Sequence, residues 1–234
     1  MTYVGNPVPQ ENEEARVART KLEETRDFEQ AIGYFPKTLT FERMAIGFLA
    51  RNPGDYVGAI QVLPPNLQMM FVHAYQSYLF NRMLSERIRR GLPLDRPLAG
   101  DVVLPVDRSG LPDHDHGVPV TKANVDLVEK QVRNGRAYVS GVLFGTDSVL
   151  AEGEIGEIER NVIESEGLSP QDFMVPLLHQ CCSKGSRREI VARITDLRYD
   201  SDGDSVRFSF ALNKGSYATS LLREFMKKGE LMDY

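Results

Sequence analysis

The residue types able to do chemistry concentrate near the end of this 234-residue chain. Arg207 to Leu221 reads RFSFALNKGSYATSL, and one aromatic, Tyr217, stands where a strand pattern gives way to a helix pattern. A helix start carries backbone N–H groups without intrahelical partners, which suits a phosphate. An aromatic beside it can stack on a base. Lys214, next to Gly215, adds a charge to a turn that also offers N–H groups. Ser216 has the side chain to cap the helix. Upstream, Arg187 and Arg188 follow Gly185-Ser186. Adjacent arginines in a loop suit phosphate clamping, although a plainly solvated loop has the same composition. For Tyr217 the competing reading is a strand-end tyrosine that caps a core.

Other constellations are weaker. His73, Ser77 and Asn81 stand at i, i+4 and i+8 of a long helix pattern. They read either as a polar stripe facing RNA or a neighbouring domain, or as buried polar groups bonded to backbone. Arg87 reads equally as an internal ion pair or a phosphate contact. Asp113-His114-Asp115-His116, and His179 with Cys181 and Cys182, are metal-ligating types. Neither set has a partner pair at the usual zinc spacing, so no metal is expected. Asp200-Ser201-Asp202-Gly203-Asp204 has its glycine in the wrong place for a calcium loop. No Walker or dinucleotide fingerprint occurs.

The elements that must position these residues can be read from periodicity and punctuation. Val206, Phe208, Phe210 and Leu212 alternate with polar or small residues, the period of a half-buried strand. Ile190 to Tyr199 is a strand before it, with Asp202-Gly203 as the hairpin signal. A helix is expected from Ala218 to Lys228, stopped by Gly229. Helices are also expected over Glu11–Lys21, Asp27–Tyr34, Thr40–Ala50, Asn66–Arg90, Ala123–Arg133 and Glu154–Glu166, with another starting at Ser169-Pro170. Asn66–Arg90 is apolar on two sides, as a central buried helix is. Strands are expected at Asp101–Pro105 and Ala137–Phe144. The rest of Leu92–Pro119, rich in Pro, Gly and Asp, reads as loop. The fold class is α+β with mixed sheets.

Two segments carry a family resemblance. Phe71 to Ile88, FVHAYQSYLFNRMLSERI, contains Ala74, Gln76, Ser77, Leu79, Phe80, Asn81, Leu84 and Arg87. Then come Gly100-Asp101 and the run from Gly215 to Glu224. In order and spacing these resemble the TruD family of tRNA pseudouridine synthases, in its archaeal and eukaryotic branch, where Tyr replaces the bacterial Phe of the last motif. The resemblance covers about Asn66 to Phe225. It implies an isomerase that converts uridine 13 of tRNA to pseudouridine with no metal and no organic cofactor. Tyr217 would wall the flipped base, and Arg187, Arg188, Lys214, Gly215, Ser216, Arg223, His73 and Asn81 would be RNA contacts.

The family's catalytic Asp, in a Gly-x-Lys-Asp-like motif, and its Asn-Tyr-Phe-Gly motif have no match here. The chain therefore resembles a C-terminal portion, expected to be inactive alone, with the missing N-terminal half of the same enzyme as partner alongside tRNA. The resemblance divides the chain into a catalytic-core piece (1–64), a TruD insertion domain (65–188) and a second core piece (189–234). The rival reading from another class is a non-catalytic RNA-binding module.

Charge placement supports this weakly. The net charge is −5. Gln180–Lys228 nonetheless holds ten Lys and Arg against six Asp and Glu, whereas the first 60 residues hold seven against nine, so the basic excess sits beside the Tyr217 motif. No run of 18 apolar residues and no basic flank before an apolar core occurs, so neither a membrane span nor a secretory leader is expected. Adjacent cysteines suggest a reducing compartment, and a cytoplasmic location.

Overall fold

The structure, a computed structural model, describes residues 2–7 and 11–227. The chain divides into two compact units: Met1–Ala74 with Met174–Cys182, and Tyr75–Phe173 with Ser183–Tyr234. The fold is α+β, as the sequence pattern predicts.

The first unit is helical: α1 (Thr2–Gly5), α2 (Glu13–Thr25), α3 (Phe28–Tyr34), α4 (Thr40–Arg51), α5 (Tyr56–Gln61) and the start of α6 (Pro65–Arg89). Side-chain carboxylates and amides start three of these helices, α2, α3 and α5. Asn12 accepts from Ala15 N–H, Asp27 from Gln30 N–H and Asp55 from Gly58 N–H, each satisfying one orphan donor. In α2 the buried residues are Ala15, Ala18, Arg19 and Leu22, and in α4 they are Glu42, Ala45, Ile46 and Leu49. Both follow the i, i+3, i+4, i+7 stripe. Leu22, Ala31, Phe35 and Ile46 form one core; Ala45, Leu49, Ala59 and Leu63 form another. Arg19 is buried and paired: Nη2 donates to Glu42 at 2.8 Å, Nε to Glu11 at 2.7 Å and Nη1 to the Val4 carbonyl at 3.0 Å. Helix α5 escapes the sequence pattern because it has six residues, one of them Gly58.

The second unit is built on an antiparallel sheet of order β2-β1-β3-β4, comprising β1 (Val102–Pro105), β2 (Val118–Pro119), β3 (Ala137–Leu143) and β4 (Ser186–Glu189). Helix α7 (Val125–Arg133) joins Val103, Val120, Ala137 and Val139 through Val128 and Val132. Helix α8 (Gly153–Ser165) buries Ile155, Ile158, Glu159, Val162 and Ile163. Asp101 is fully buried, and its carboxylate takes a bidentate pair from Arg87 at 2.6 and 2.9 Å and the Leu98 N–H at 2.8 Å. Arg87 is thus an internal ion pair. Gly100 has φ of 107°, and a Cβ there would lie 2.4 Å from the Glu152 carbonyl oxygen. The Gly100-Asp101 pair is a structural joint. Gln76 is buried too, donating to the Phe144 carbonyl at 2.7 Å and to Ser183 Oγ at 2.8 Å.

A second, two-stranded sheet pairs β5 (Ile194–Ser201) with β6 (Val206–Leu212), and α9 (Ala218–Met226) follows. Every residue of β5 is exposed, and α9 buries none. Phe225 of α9 stacks on Phe208 of β6 at 4.5 Å.

Several expectations shift. The Leu92–Pro119 segment contains β2 as well as β1. Ser169-Pro170 opens a single 3₁₀ turn, Pro170–Phe173, not a helix. Residues 186–189 are a strand and not a loop, and the following strand starts at Ile194 instead of Ile190. The expected helix stop at Gly229 lies outside the described residues. Among those residues, no helix is long and apolar enough to cross a membrane.

Candidate functional site

Strand β6 ends at Leu212, and the chain turns through Asn213-Lys214-Gly215-Ser216 into α9. Gly215 sits at φ of 92°, a conformation that penalises any side chain. The Ser216 N–H closes the turn on the Asn213 carbonyl at 3.1 Å. Tyr217, with extended φ and ψ, occupies the N-cap of α9, and no side chain caps the helix. Ser216 is therefore not the cap: it stands one residue too early. The Tyr217 ring is 64% exposed, so it caps no core among the described residues.

Arg188 and Tyr138 connect this loop to the rest of the unit, and Arg193 packs on Tyr138. Arg188 donates Nη2 to the Gly215 carbonyl at 2.7 Å, and its guanidinium carbon lies over the Tyr217 ring, 5.4 Å from the centroid. Arg193 donates to the Val132 carbonyl at the end of α7 at 2.9 Å and lies over the Tyr138 ring at 4.9 Å. The Tyr138 hydroxyl in turn accepts from Asn213 Nδ2 at 3.4 Å. Tyr138, Arg193 and Asn213 escaped the sequence reading. No local signal marks them, because their partners lie 61 and 75 residues away.

Arg187 and Arg188 part company. Arg187 is 9% exposed; it donates to Ser140 Oγ at 3.0 Å, the Val149 carbonyl at 3.0 Å and Glu159 at 2.7 Å. Its guanidinium is spent inside the unit, so the expectation of a paired phosphate clamp is corrected. The cause is the strand: successive side chains leave β4 on opposite faces, while a loop would have presented both. Lys214 and Gly215 are exposed at the turn; Ser216 beside it is half-buried, and so is Arg223 in the last turn of α9.

His73 and Asn81 are exposed on α6. His73 belongs to the first unit and Asn81 to the second. Asn81 lines a cleft of about 460 Å³ with Tyr78, Arg82, Arg90, Asn161 and Ser165. The cleft's cations are already matched. Arg82 pairs with Glu166, and Arg90 with Glu86 and Glu157, so the cleft offers no unmatched charge to a phosphate. The Tyr75 hydroxyl donates to Glu166 at 3.0 Å, and burial followed by that bond pushes its pKa up. The histidines of the Asp113–His116 run each have a carboxylate partner. His114 contacts Glu189 at 2.9 Å and His116 contacts Asp113 at 2.9 Å.

Residues 1–225 match the family model described as tRNA pseudouridine synthase D (TruD). The chain belongs to the TruD family. The probable tRNA pseudouridine synthase D of Methanococcoides burtonii is 41% identical over 234 residues, covering 97% of this chain and 53% of that protein. The Halobacterium salinarum relative of the same description is 43% identical over 236 residues, covering 99% and 53%. Among solved structures, the putative TruD of Methanosarcina mazei superposes with a TM-score of 0.90 at 37% identity, over 97% of this chain and 54% of that one. The chain thus spans about half the length of the TruD relatives it matches.

Proposed function

We propose that this chain supplies part of the tRNA-binding and base-holding machinery of a pseudouridine synthase acting on uridine 13 of tRNA. In that reaction the uracil leaves its ribose, rotates and rejoins through carbon. The base must first leave the stack, and an aromatic wall can hold it there while excluding water. Tyr217 is that wall. Lys214, Gly215 and the N-terminus of α9 take a neighbouring phosphate, with Arg223 contributing charge nearby. His73 and Asn81 are further RNA contacts. The carboxylate chemistry comes from a segment outside these 234 residues, as the missing Lys-Asp motif suggests. Residues 65–188 serve as the insertion domain, between core pieces 1–64 and 189–234. The enzyme works in the cytoplasm without metal or organic cofactor.

The observation that carries this reading is the 64% exposed Tyr217 ring within the family's most specific string. A large aromatic left in solvent at a strand-to-helix joint offers a face to a planar partner. A second reading, an RNA-binding module without catalysis, is favoured by the absence of the Lys-Asp motif. Incubating the purified chain with an unmodified tRNA transcript tests both. Binding without pseudouridine formation is expected from the chain alone. Turnover at ordinary enzyme rates would overturn the assignment of the carboxylate to another segment and direct attention to the acids present here.

A further inference from the structure

We infer that Arg188 is a positioning residue for Tyr217: it occupies one face of the ring and leaves the opposite face as the single stacking surface for a base. The inference rests on the proposed role of Tyr217 and adds how that ring is held.

The loop that carries Tyr217 lies between two exposed elements. It follows a hairpin whose outer strand is exposed throughout, and it precedes a helix that buries no residue. An isolated two-stranded hairpin is marginal in water. Arg188, by contrast, is rooted in the four-stranded sheet, with Gly141 of β3 as its register partner. From that root it makes two contacts at once, 2.7 Å to the Gly215 carbonyl and 5.4 Å to the Tyr217 ring centroid. The first contact fixes the backbone two residues before the tyrosine. The second selects a ring orientation. A planar guanidinium suits both contacts because it can donate from its edge while the cation lies over the ring. A lysine ammonium has neither the fork nor the plane. A tyrosine ring has two faces; with a cation over one, a base can stack only on the other, forming a guanidinium–phenol–base sandwich. The Asn213 bond to the Tyr138 hydroxyl secures the far end of the same turn.

This role separates from the alternative, a phosphate contact, by its dependence on salt. The test measures dissociation constants of the 234-residue chain for an unmodified tRNA transcript and for oligouridine over a range of salt concentrations. Arg188→Ala, Arg188→Lys, Tyr217→Ala and the double variant Arg188→Ala/Tyr217→Ala are compared. Positioning predicts that Arg188→Ala weakens binding about threefold to tenfold with the salt slope unchanged. Arg188→Lys should lose nearly as much although the charge is kept. The double variant should be no weaker than Tyr217→Ala, the signature of two residues acting as one unit. Full rescue by Lys, a slope smaller by about 0.9 in Arg188→Ala, or an additive double variant would each overturn the inference.

A second readout needs no RNA. In chain carrying ¹³C-tyrosine, the Tyr217 ring signals, assigned with Tyr217→Phe, should move on Arg188→Lys while those of Tyr138 stay. Unmoved Tyr217 signals overturn the inference by themselves. If Tyr217→Ala leaves affinity unchanged, the base-stacking role of Tyr217 fails, and these ring signals still decide whether Arg188 holds it.

Discussion

Arg187 and Arg188 are neighbours in sequence and opposites in structure. One belongs to the buried ionic frame of the four-stranded sheet, with Arg87, Asp101 and Glu159. The other reaches out to the exposed loop of the two-stranded sheet, where Tyr217 stands. The two regions use the same residue types for different ends. In the frame, charge is desolvated and fully paired, so losing one partner strands the other. In the loop, charge and aromatic surface stay in water, available to something else. Family-specific residues therefore fall into two groups. Gln76, Arg87, Gly100 and Asp101 hold the unit together, whereas Asn81 and much of the run from Gly215 to Glu224 face solvent.

The largest expected effect lies in the frame. Asp101→Ala or Arg187→Ala should destabilise the second unit by about 3–5 kcal/mol, because each leaves a buried charge unpaired. Urea unfolding followed by circular dichroism measures it, and the salt slope of RNA binding by the folded fraction should not change. If Arg187→Ala instead left stability intact and flattened that slope, the contrast between the two arginines would collapse.

Next comes the loop. Tyr217→Ala should weaken RNA binding by about 1–3 kcal/mol and leave the melting temperature of the chain unchanged, since the ring caps no described core. Tyr217→Phe should be nearly silent in both assays, because the ring does the stacking. A drop in melting temperature with unchanged affinity would return Tyr217 to the structural group.

Smaller still, Lys214→Ala should reduce the salt slope by about 0.9 without altering stability. An unchanged slope would remove the phosphate contact at the turn.

The hairpin also has a pH signature. The Asp202 carboxylate accepts from the Ser205 N–H at 2.9 Å and from its hydroxyl at 3.0 Å, and these bonds hold its pKa below the ordinary carboxylate value. A depressed pKa stabilises the turn above the unfolded-state value, and that contribution is lost as pH falls through the folded value. Amide signals of the β5–β6 turn should therefore change below about pH 4, and Asp202→Asn should abolish the change. Least of all, Ser216→Ala should alter stability by less than about 0.5 kcal/mol, since no cap bond exists to lose.

The sequence by itself determined the α+β class, the long helix, most helix starts, the hairpin and the joint at Tyr217. Each rests on a local signal: a 3.6- or 2-residue period, an Asn or Asp before a helix, a glycine in a turn. It also carried the family, because Gln76, Asn81, Arg87, Gly100-Asp101 and Gly215 to Glu224 keep their spacing along the chain. Short elements such as α5 and β2 escaped, having too few residues to show a period. What only tertiary structure decided is which charges are consumed. Ser186-Arg187-Arg188-Glu189 looks like a solvated loop until β3 pairs with it, and the strand geometry then sends one arginine inward and the next outward. The partners that settle their fates, Glu159 for Arg187 and Gly215 for Arg188, lie 28 and 27 residues away. Burial is a property of the packed chain, so no reading of neighbours in sequence could have separated the arginine that holds the fold from the one that holds Tyr217.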